Sequence, residues 1–300
     1  PPRGQPRHHG NIVASETLHP AFDKAASLMD LEIRRVPVRA DLRADVAALE
    51  AAIDADTILL VGSAPNFPYG MIDPIAELSD IALRHRVWLH VDACVGGYLA
   101  PFARRLGRPV PEFDFSLPGV RSISADLHKY GFCPKPASTV LYRTAADAAF
   151  QPFDFSGWPS GRFITGTVVG TRPAGGVAAA WAVLQHLGAE GYLRIAEQLL
   201  SGIDRYRREL SAIPGLFVVG EPDLAIVAYG SHDLDAFAIA TQMAQRGWQP
   251  GLLRRPRAVH RMMSMLHIDS MAPYLDDLRW AVSEVRARPS AAAQPLDARY

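Results

Sequence analysis

Lysine is the scarcest charged residue in this chain. Of 31 basic side chains, only Lys24, Lys129 and Lys135 are lysines and the rest are arginines. Cysteine is scarcer still. Cys94 and Cys133 cannot build a disulfide framework, so a reducing, cytoplasmic setting is the default expectation. No apolar run reaches the roughly 18 residues a membrane-spanning helix needs, and the polar opening Pro-Pro-Arg-Gly-Gln-Pro-Arg-His-His-Gly lacks a signal-peptide core. Excess charge is missing as well: 31 acidic side chains balance 31 basic ones, which points away from a nucleic-acid partner.

What is present is a 300-residue chain with 49% hydrophobic content, enough for one large domain and a small one. Two of the three lysines fall in Ser124-Ala-Asp-Leu-His-Lys-Tyr-Gly-Phe-Cys-Pro-Lys-Pro136. A guanidinium keeps its proton near neutral pH, whereas an ammonium can lose it on burial and attack a carbonyl. Ile123, Ala125 and Leu127 alternate with Ser124, Asp126 and His128, a period of two that predicts a strand giving out at Lys129, just before Gly131. The bland alternative is a surface lysine near a turn.

Val87-Trp-Leu-His-Val-Asp92-Ala-Cys-Val-Gly-Gly97 is a nearly continuous apolar run ending in an acid and two glycines, as suits a buried parallel strand. Asp92 then lies at the strand's carboxyl end, where open α/β sheets bind ligands. An acid facing a pyridinium nitrogen, with a lysine on the aldehyde, is the recurring pair of pyridoxal phosphate (PLP) enzymes. A turn or capping aspartate is the alternative.

His-Val-Asp92-Ala-Cys-Val-Gly-Gly, Ser-Ile-Ser-Ala-Asp-Leu-His-Lys129-Tyr-Gly and Val-Gly-Ser-Ala-Pro-Asn-Phe-Pro-Tyr69-Gly-Met-Ile-Asp-Pro together resemble the sphingosine-1-phosphate lyase family. That family belongs to the fold-type I PLP group, which also holds the group II amino-acid decarboxylases. The resemblance runs from about Asn11 to about Arg286. It implies a doubly wound, mainly parallel sheet with a small α/β C-terminal domain, PLP as cofactor, and a homodimer.

Strands are predicted from Asn11 to Ala14, Leu31 to Val38, Thr57 to Val61 and Thr139 to Arg143, and helices from Asp45 to Ile53 and after Pro20. Asp73-Pro74 has the N-cap and first-turn pairing of a helix with Ile75, Leu78 and Ala82 on one face. Strand, helix, strand in this order implies right-handed parallel crossovers. Phe153 to Pro173 reads as a long functional loop. Gly175 to Gly188 and Tyr192 to Leu210 read as two helices. Leu224 to Tyr229, Asp233 to Arg246, Val259 to Met265 and Pro273 to Arg286 read as strand, helix, strand, helix. These divide the chain into a flexible leader (1–10) in which His8 and His9 are exposed rather than metal-binding, a PLP-binding domain (11–190), a small domain (191–288) and a flexible tail (289–300).

By resemblance, Lys129 bonds the cofactor, Asp92 meets the ring nitrogen, and His19, otherwise a helix cap, stacks on the ring. Cys94 is a contact on the opposite ring face or a plain core cysteine. Ser124 and His128, on one polar face, reach the cofactor phosphate. Tyr69 and Lys135 handle a proton or grip a substrate phosphate. Gly166 and Thr167, with Arg172 beyond them, approach the neighbouring subunit's site. Pro136 stands where the family has glycine and Leu127 where threonine is usual. The family's Gly- and Thr-rich phosphate cradle lies upstream of the His19 region, and nothing before Asn11 supplies it. Either the chain is the C-terminal portion of a longer enzyme or it is a degenerate relative. The expected activity is carbon-carbon cleavage of a phosphorylated long-chain amino alcohol to an aldehyde and phosphoethanolamine. Amino-acid decarboxylation and a catalytically silent scaffold are the alternatives.

Overall fold

The computed structural model describes residues 10–288. His8, His9 and the tail from 289 lie outside the described residues. In chain order come β1 (Asn11–Ser15), α1 (Ala21–Met29), β2 (Glu32–Val36), α2 (Val46–Ala51), β3 (Thr57–Ser63), α3 (Ile75–His85), β4 (Trp88–Asp92), α4 (Ala100–Arg105), β5 (Val120–Ala125) and β6 (Thr139–Tyr142). The strands form one sheet ordered β2-β1-β3-β4-β5-β6, parallel throughout except for the antiparallel pair β5/β6. Leu60, Leu89 and Val91 are completely buried, as expected of central strands covered on both faces. The parallel register sets Ser63, Asp92 and Ser124 side by side at the carboxyl ends of β3, β4 and β5.

The chain continues through α5 (Ala145–Ala148), a hairpin of β7 (Phe153–Trp158) and β8 (Gly161–Thr165), and the long α6 (Gly175–Ser211). Next come β9 (Leu216–Val218), β10 (Ile226–Ser231), α7 (Ala236–Gln245), β11 (Gly251–Arg254), β12 (Arg257–Met262), α8 (Met265–Asp269) and α9 (Met271–Ala287). The second sheet, ordered β11-β12-β10-β9, is antiparallel. The later half of α6 turns Ala196, Leu199, Ile203, Tyr206 and Leu210 into a core that also holds Leu60 and Leu89 of the first sheet and Val227 and Val259 of the second. No described helix is long and apolar enough to cross a membrane.

Three expectations change. The strand expected to run to Lys129 ends at Ala125, because Asp126 begins a turn in which the Lys129 N–H donates to the Asp126 carbonyl and the Cys133 N–H to that of Leu127. The loop expected over Phe153 to Pro173 contains the β7/β8 hairpin, pinned across its strands by the Asp154–Arg162 ion pair. The two helices expected over 175–210 are there, since α6 is two helical stretches that meet at Gly188, whose φ of 55° and ψ of −177° are non-helical.

The third change is Asp73, which does not cap α3. Its carboxylate is buried and accepts from the backbone N–H groups of Ser63 and Ala44 at 2.8 and 3.0 Å, tying β3 to the segment before α2. Burial pushes its pKa up to about 6 despite those donors. The folded chain therefore holds this proton more tightly than the unfolded chain, and the stability contributed by Asp73 falls as pH rises from about 4 to about 6. In Asp73→Asn an amide NH2 replaces one acceptor and faces a backbone donor. The substitution should cost on the order of 2 kcal/mol, and more at pH 4.5 than at pH 7.5, as read from urea midpoints. A cost independent of pH would show that Asp73 is ionised throughout.

Candidate active site

Each of the four loops that follow β1, β3, β4 and β5 sends side chains to one place. β1 leads to Thr17 and His19, β3 to Pro65 and Phe67, β4 to Cys94 and Val95, and β5 to Asp126 and Lys129. With Ser63, Asp92 and Ser124 from the strand ends, they line a cavity of about 290 Å³ at the carboxyl edge of the sheet. Gly97 keeps β4 and β5 close here, since a Cβ on it would lie 2.6 Å from the Ala125 Cβ.

Asp92 sits at the end of a directed hydrogen-bond chain. The Trp88 indole N–H, which can only donate, bonds the Ser122 hydroxyl at 2.8 Å. The Ser122 hydroxyl therefore gives its own proton to His90 Nδ1, 2.8 Å away. The imidazole is neutral, because burial pushes its pKa down to about 4 against the opposing charge of Asp92. Its remaining proton is then on Nε2, 3.2 Å from the Ser124 hydroxyl, which in turn donates to Asp92 Oδ1 at 3.3 Å. The Cys94 N–H donates to the same oxygen at 3.1 Å. The Ser124 hydroxyl and the Cys94 N–H thus both turn their hydrogens to Asp92 Oδ1.

Lys129 is held by its turn. Its Nζ lies 3.1 Å from Asp126 Oδ2. Burial works against ionisation of Asp126, but the Ser138 hydroxyl and the Lys129 ammonium outweigh it and keep that carboxyl below its usual range. The neighbouring Tyr130 is buried, and its hydroxyl donates to the Met263 carbonyl at 2.6 Å, with that of Ala225 at 3.3 Å. The Tyr192 hydroxyl donates to the Gly131 carbonyl at 2.7 Å. Two buried tyrosines thus bracket the lysine.

Of the residues singled out in the sequence, Lys129, Asp92, His19, Cys94 and Ser124 meet on this cavity. His19 stands one residue before the N-cap of α1, which is Pro20, and its Nδ1 accepts from the Ala21 N–H at 3.2 Å. Burial pushes the Cys94 thiol well up, so it is an uncharged wall. Tyr69, His128 and Lys135 do not line the cavity. Tyr69 is buried, with its hydroxyl donating to the Arg255 carbonyl. His128 leaves the polar face it shares with Ser124 in the sequence pattern and turns Nδ1 to the Ala137 carbonyl at 2.9 Å. Lys135 is exposed, and Gly166, Thr167 and Arg172 lie in the outlying segment after β8. Sequence reasoning missed Asp126 as the partner of Lys129, and His90 and Ser122 behind Asp92. The i, i+3 spacing of Asp126 and Lys129 was the available signal.

Residues 6–157 match the model described as "Pyridoxal-dependent decarboxylase conserved domain". The chain belongs to this family of PLP-dependent enzymes. Sphingosine-1-phosphate lyases of Oryza sativa and Arabidopsis thaliana are 41% and 44% identical to it over 278 residues, 93% of the chain. A probable L-tyrosine/L-aspartate decarboxylase of Methanothermobacter thermautotrophicus is 35% identical over 86% of the chain and 70% of its own length. Among solved structures, the Burkholderia pseudomallei sphingosine-1-phosphate lyase superposes with a TM-score of 0.88 at 38% identity, over 94% of this chain and 65% of that one. Lactobacillus brevis glutamate decarboxylase shares the fold, with a TM-score of 0.79 at 23% identity. The chain spans about half the length of the two plant lyases.

The cavity fits the family's cofactor at two points, since a primary amine and a carboxylate from separate strand-end segments share one wall with an imidazole. When bound, PLP supplies an electrophilic aldehyde carbon and an electron-withdrawing ring. Ser124→Ala removes the last donor of the chain behind Asp92 and should weaken PLP binding several-fold, measured by titrating cofactor-free protein and following absorbance. Ser122→Ala, two bonds further back, should weaken it less. Unchanged affinity in Ser124→Ala would show that the chain contributes nothing to the cofactor site.

Proposed function

We propose that the chain carries the catalytic lysine and acid of a PLP-dependent carbon-carbon lyase acting on a phosphorylated long-chain amino alcohol, with release of an aldehyde and phosphoethanolamine. The observation that carries this reading is the meeting of Lys129 and Asp92 on one cavity in a chain so similar to sphingosine-1-phosphate lyases. Lys129 would hold the cofactor's aldehyde carbon and Asp92 the proton on its ring nitrogen, with His19 against one ring face and Cys94 against the other. Asp126 would take the ammonium of Lys129 whenever that amine is released. Cleavage needs a group to accept the proton of the β-hydroxyl. Lys129 and His19 are already on the wall, whereas Tyr69 and Lys135 would have to reach the substrate from outside the cavity as found. In this reading Ser124 and His128 serve the cofactor, His128 only after leaving Ala137.

Amino-acid decarboxylation is the second reading, favoured by the Methanothermobacter relative. A substrate carboxylate calls for a cation, and the cavity lining contains no arginine and one lysine, already paired with Asp126. Either substrate's anion, carboxylate or phosphate, would therefore have to be met by groups beyond this lining. A homodimer in which Gly166, Thr167 and Arg172 serve the neighbouring subunit is supported by the exposed apolar surface along the β7/β8 hairpin and early α6. Trp158, Val168 and Trp181 there are 53%, 104% and 66% exposed. The two free cysteines support a cytoplasmic setting.

Incubation of PLP-loaded protein with a phosphorylated long-chain amino alcohol should yield aldehyde, and incubation with aspartate or tyrosine should yield no carbon dioxide. Borohydride reduction should leave a pyridoxyl group on the peptide containing Lys129, and Lys129→Ala should lose both the adduct and the characteristic absorbance. Asp92→Asn should retain the adduct but turn over at least about a hundredfold more slowly. Carbon dioxide without aldehyde would select the decarboxylase. Protein that stays colourless with added PLP and forms no adduct would select a silent scaffold.

A further inference from the structure

A second cavity, of about 460 Å³, adjoins the first and shares Thr17, His19 and Phe67 with it. Its wall is mostly apolar, with Leu18, Leu252, Leu253 and Met262 on it. Two nitrogen-bearing side chains that the reading above does not use, Arg261 of β12 and His267 of α8, also stand on this wall.

Arg261 is a cation without a counter-charge. It is half-buried, and none of the ion pairs among the described residues includes it. Tyrosines surround it instead. The Tyr274 and Tyr206 rings lie 3.7 and 5.8 Å from its guanidinium carbon. A ring face attracts a cation but carries no net charge, so the hydration that Arg261 loses on burial is only partly replaced. A guanidinium has five N–H donors, and no carboxylate or carbonyl of the described residues receives any from Arg261. These donors are not sealed away. The side-chain nitrogens and oxygens that are both fully buried and unpartnered among the described residues are Tyr206 Oη and His260 Nδ1, so the nitrogens of Arg261 keep exposed surface.

His267 offers a second donor. Ser264, at the N-cap of α8, gives its backbone N–H to His267 Nδ1 at 3.1 Å, and its hydroxyl lies 2.8 Å from the same nitrogen. A nitrogen that accepts a backbone N–H carries no hydrogen, so the ring proton is on Nε2. Burial, and after it the charge of Arg261, push the pKa of His267 down, so the imidazole is neutral and Nε2 donates. The two side chains are thus within electrostatic reach of each other on one wall. Glu16, the acid of the same wall, is engaged by Arg255 and by the Val38 N–H, each at 3.4 Å.

We infer that Arg261 and His267 form an oxyanion site on the second cavity, taking a phosphate or carboxylate group between the guanidinium and the imidazole N–H. The planar fork of arginine matches two oxygens of either group, and His267 adds a neutral donor that brings no counter-charge of its own. The apolar remainder of the wall holds back competing water, which strengthens both contacts. The site is one of binding alone. It is defined by side chains of this chain without reference to the cofactor or to the bond that breaks.

The full chain is titrated by calorimetry with inorganic phosphate and, separately, with acetate, at an ionic strength held constant with chloride. Each titration is run with and without excess PLP, which occupies the first cavity. The ring C–H resonances of His267, assigned by their loss in a variant, are followed by NMR. At least one of the two anions should bind in the presence of PLP and shift these resonances, and the tighter one identifies the class of ligand. Arg261→Met keeps an unbranched stem over Tyr274 and removes the charge. It should weaken binding about tenfold or more, the worth of a charge-assisted hydrogen bond, and Arg261→Lys should recover part of that loss. His267→Asn keeps an acceptor for Ser264 but has no donor at the Nε2 position, and should weaken binding severalfold. It decides the matter if Arg261→Met does not fold. Absence of binding by both anions, equal affinity in wild type and His267→Asn or Arg261→Met, binding that leaves the His267 resonances in place, or binding abolished by PLP would each overturn the site. Aldehyde release does not enter these measurements, so the site and the lyase reading stand or fall separately.

Discussion

The parallel pairing of β3, β4 and β5 is the constraint on which everything at the site depends. Because adjacent parallel strands run level, one register fixes Ser63, Asp92 and Ser124 in a row, and a single-residue slip would turn each of them to the other face of the sheet. The register is defended just beyond the strand ends. A side chain on Gly96 would collide with the carbonyl of Ala64, and one on Gly97 with Ala125, so the glycines after Asp92 let three neighbouring loops pack without separating the strands. The hydrogen-bond chain through Trp88, Ser122, His90 and Ser124 crosses β4 and β5 and exists only in this register. Strand pairing therefore also fixes the hydrogen-bond partner of Asp92.

The second sheet takes part in the same arrangement. Tyr130 follows Lys129 directly and anchors on the backbone at the ends of β10 and β12, so the lysine turn is fastened to the antiparallel sheet as firmly as to its own. β12 also sets His260 edge-on against Phe67, a residue of the first cavity's lining. Movement of the small sheet against the large one would thus be felt at the amine and at Phe67 together. The shared core, running from Leu60 and Leu89 to Val227 and Val259 by way of α6, resists such movement.

Much of this was legible in the sequence, for identifiable reasons. Asp92 stood out because an acid closing an apolar run has few explanations, and Lys129 because lysine is rare here. The helices and most strands followed from periodicity. His19 owed its proposed place on the ring to family resemblance, while its position predicted a helix cap that falls to Pro20. The hydrogen bonds behind Asp92 were illegible because they depend on which residues of β4 and β5 are neighbours, and no pattern within either strand encodes that. His90 looked like an interruption of a buried run. The strand leading to Lys129 was drawn too long because alternation continues to His128 even though the backbone turns at Asp126, where local hydrogen bonds prevail over the pattern. Glycine, serine and threonine between 153 and 173 hid a hairpin whose ladder is held by aromatic side chains and an ion pair eight residues apart. Asp73 looked like a cap because Pro74 follows it, but its carboxylate was needed to join β3 to the segment before α2.

The charges on the first cavity's wall do not cancel. Asp126 is matched by Lys129, whereas none of the ion pairs among the described residues includes Asp92. Its oxygen is served by two dipoles, the Cys94 N–H and the Ser124 hydroxyl. Dipoles can hold a carboxylate in its ionised form, but they do not neutralise it, and a charge in such a setting gains most from a cation brought to it. A protonated pyridine nitrogen is such a cation, compact and fixed in a plane. His90 cannot take that place, since burial keeps it neutral.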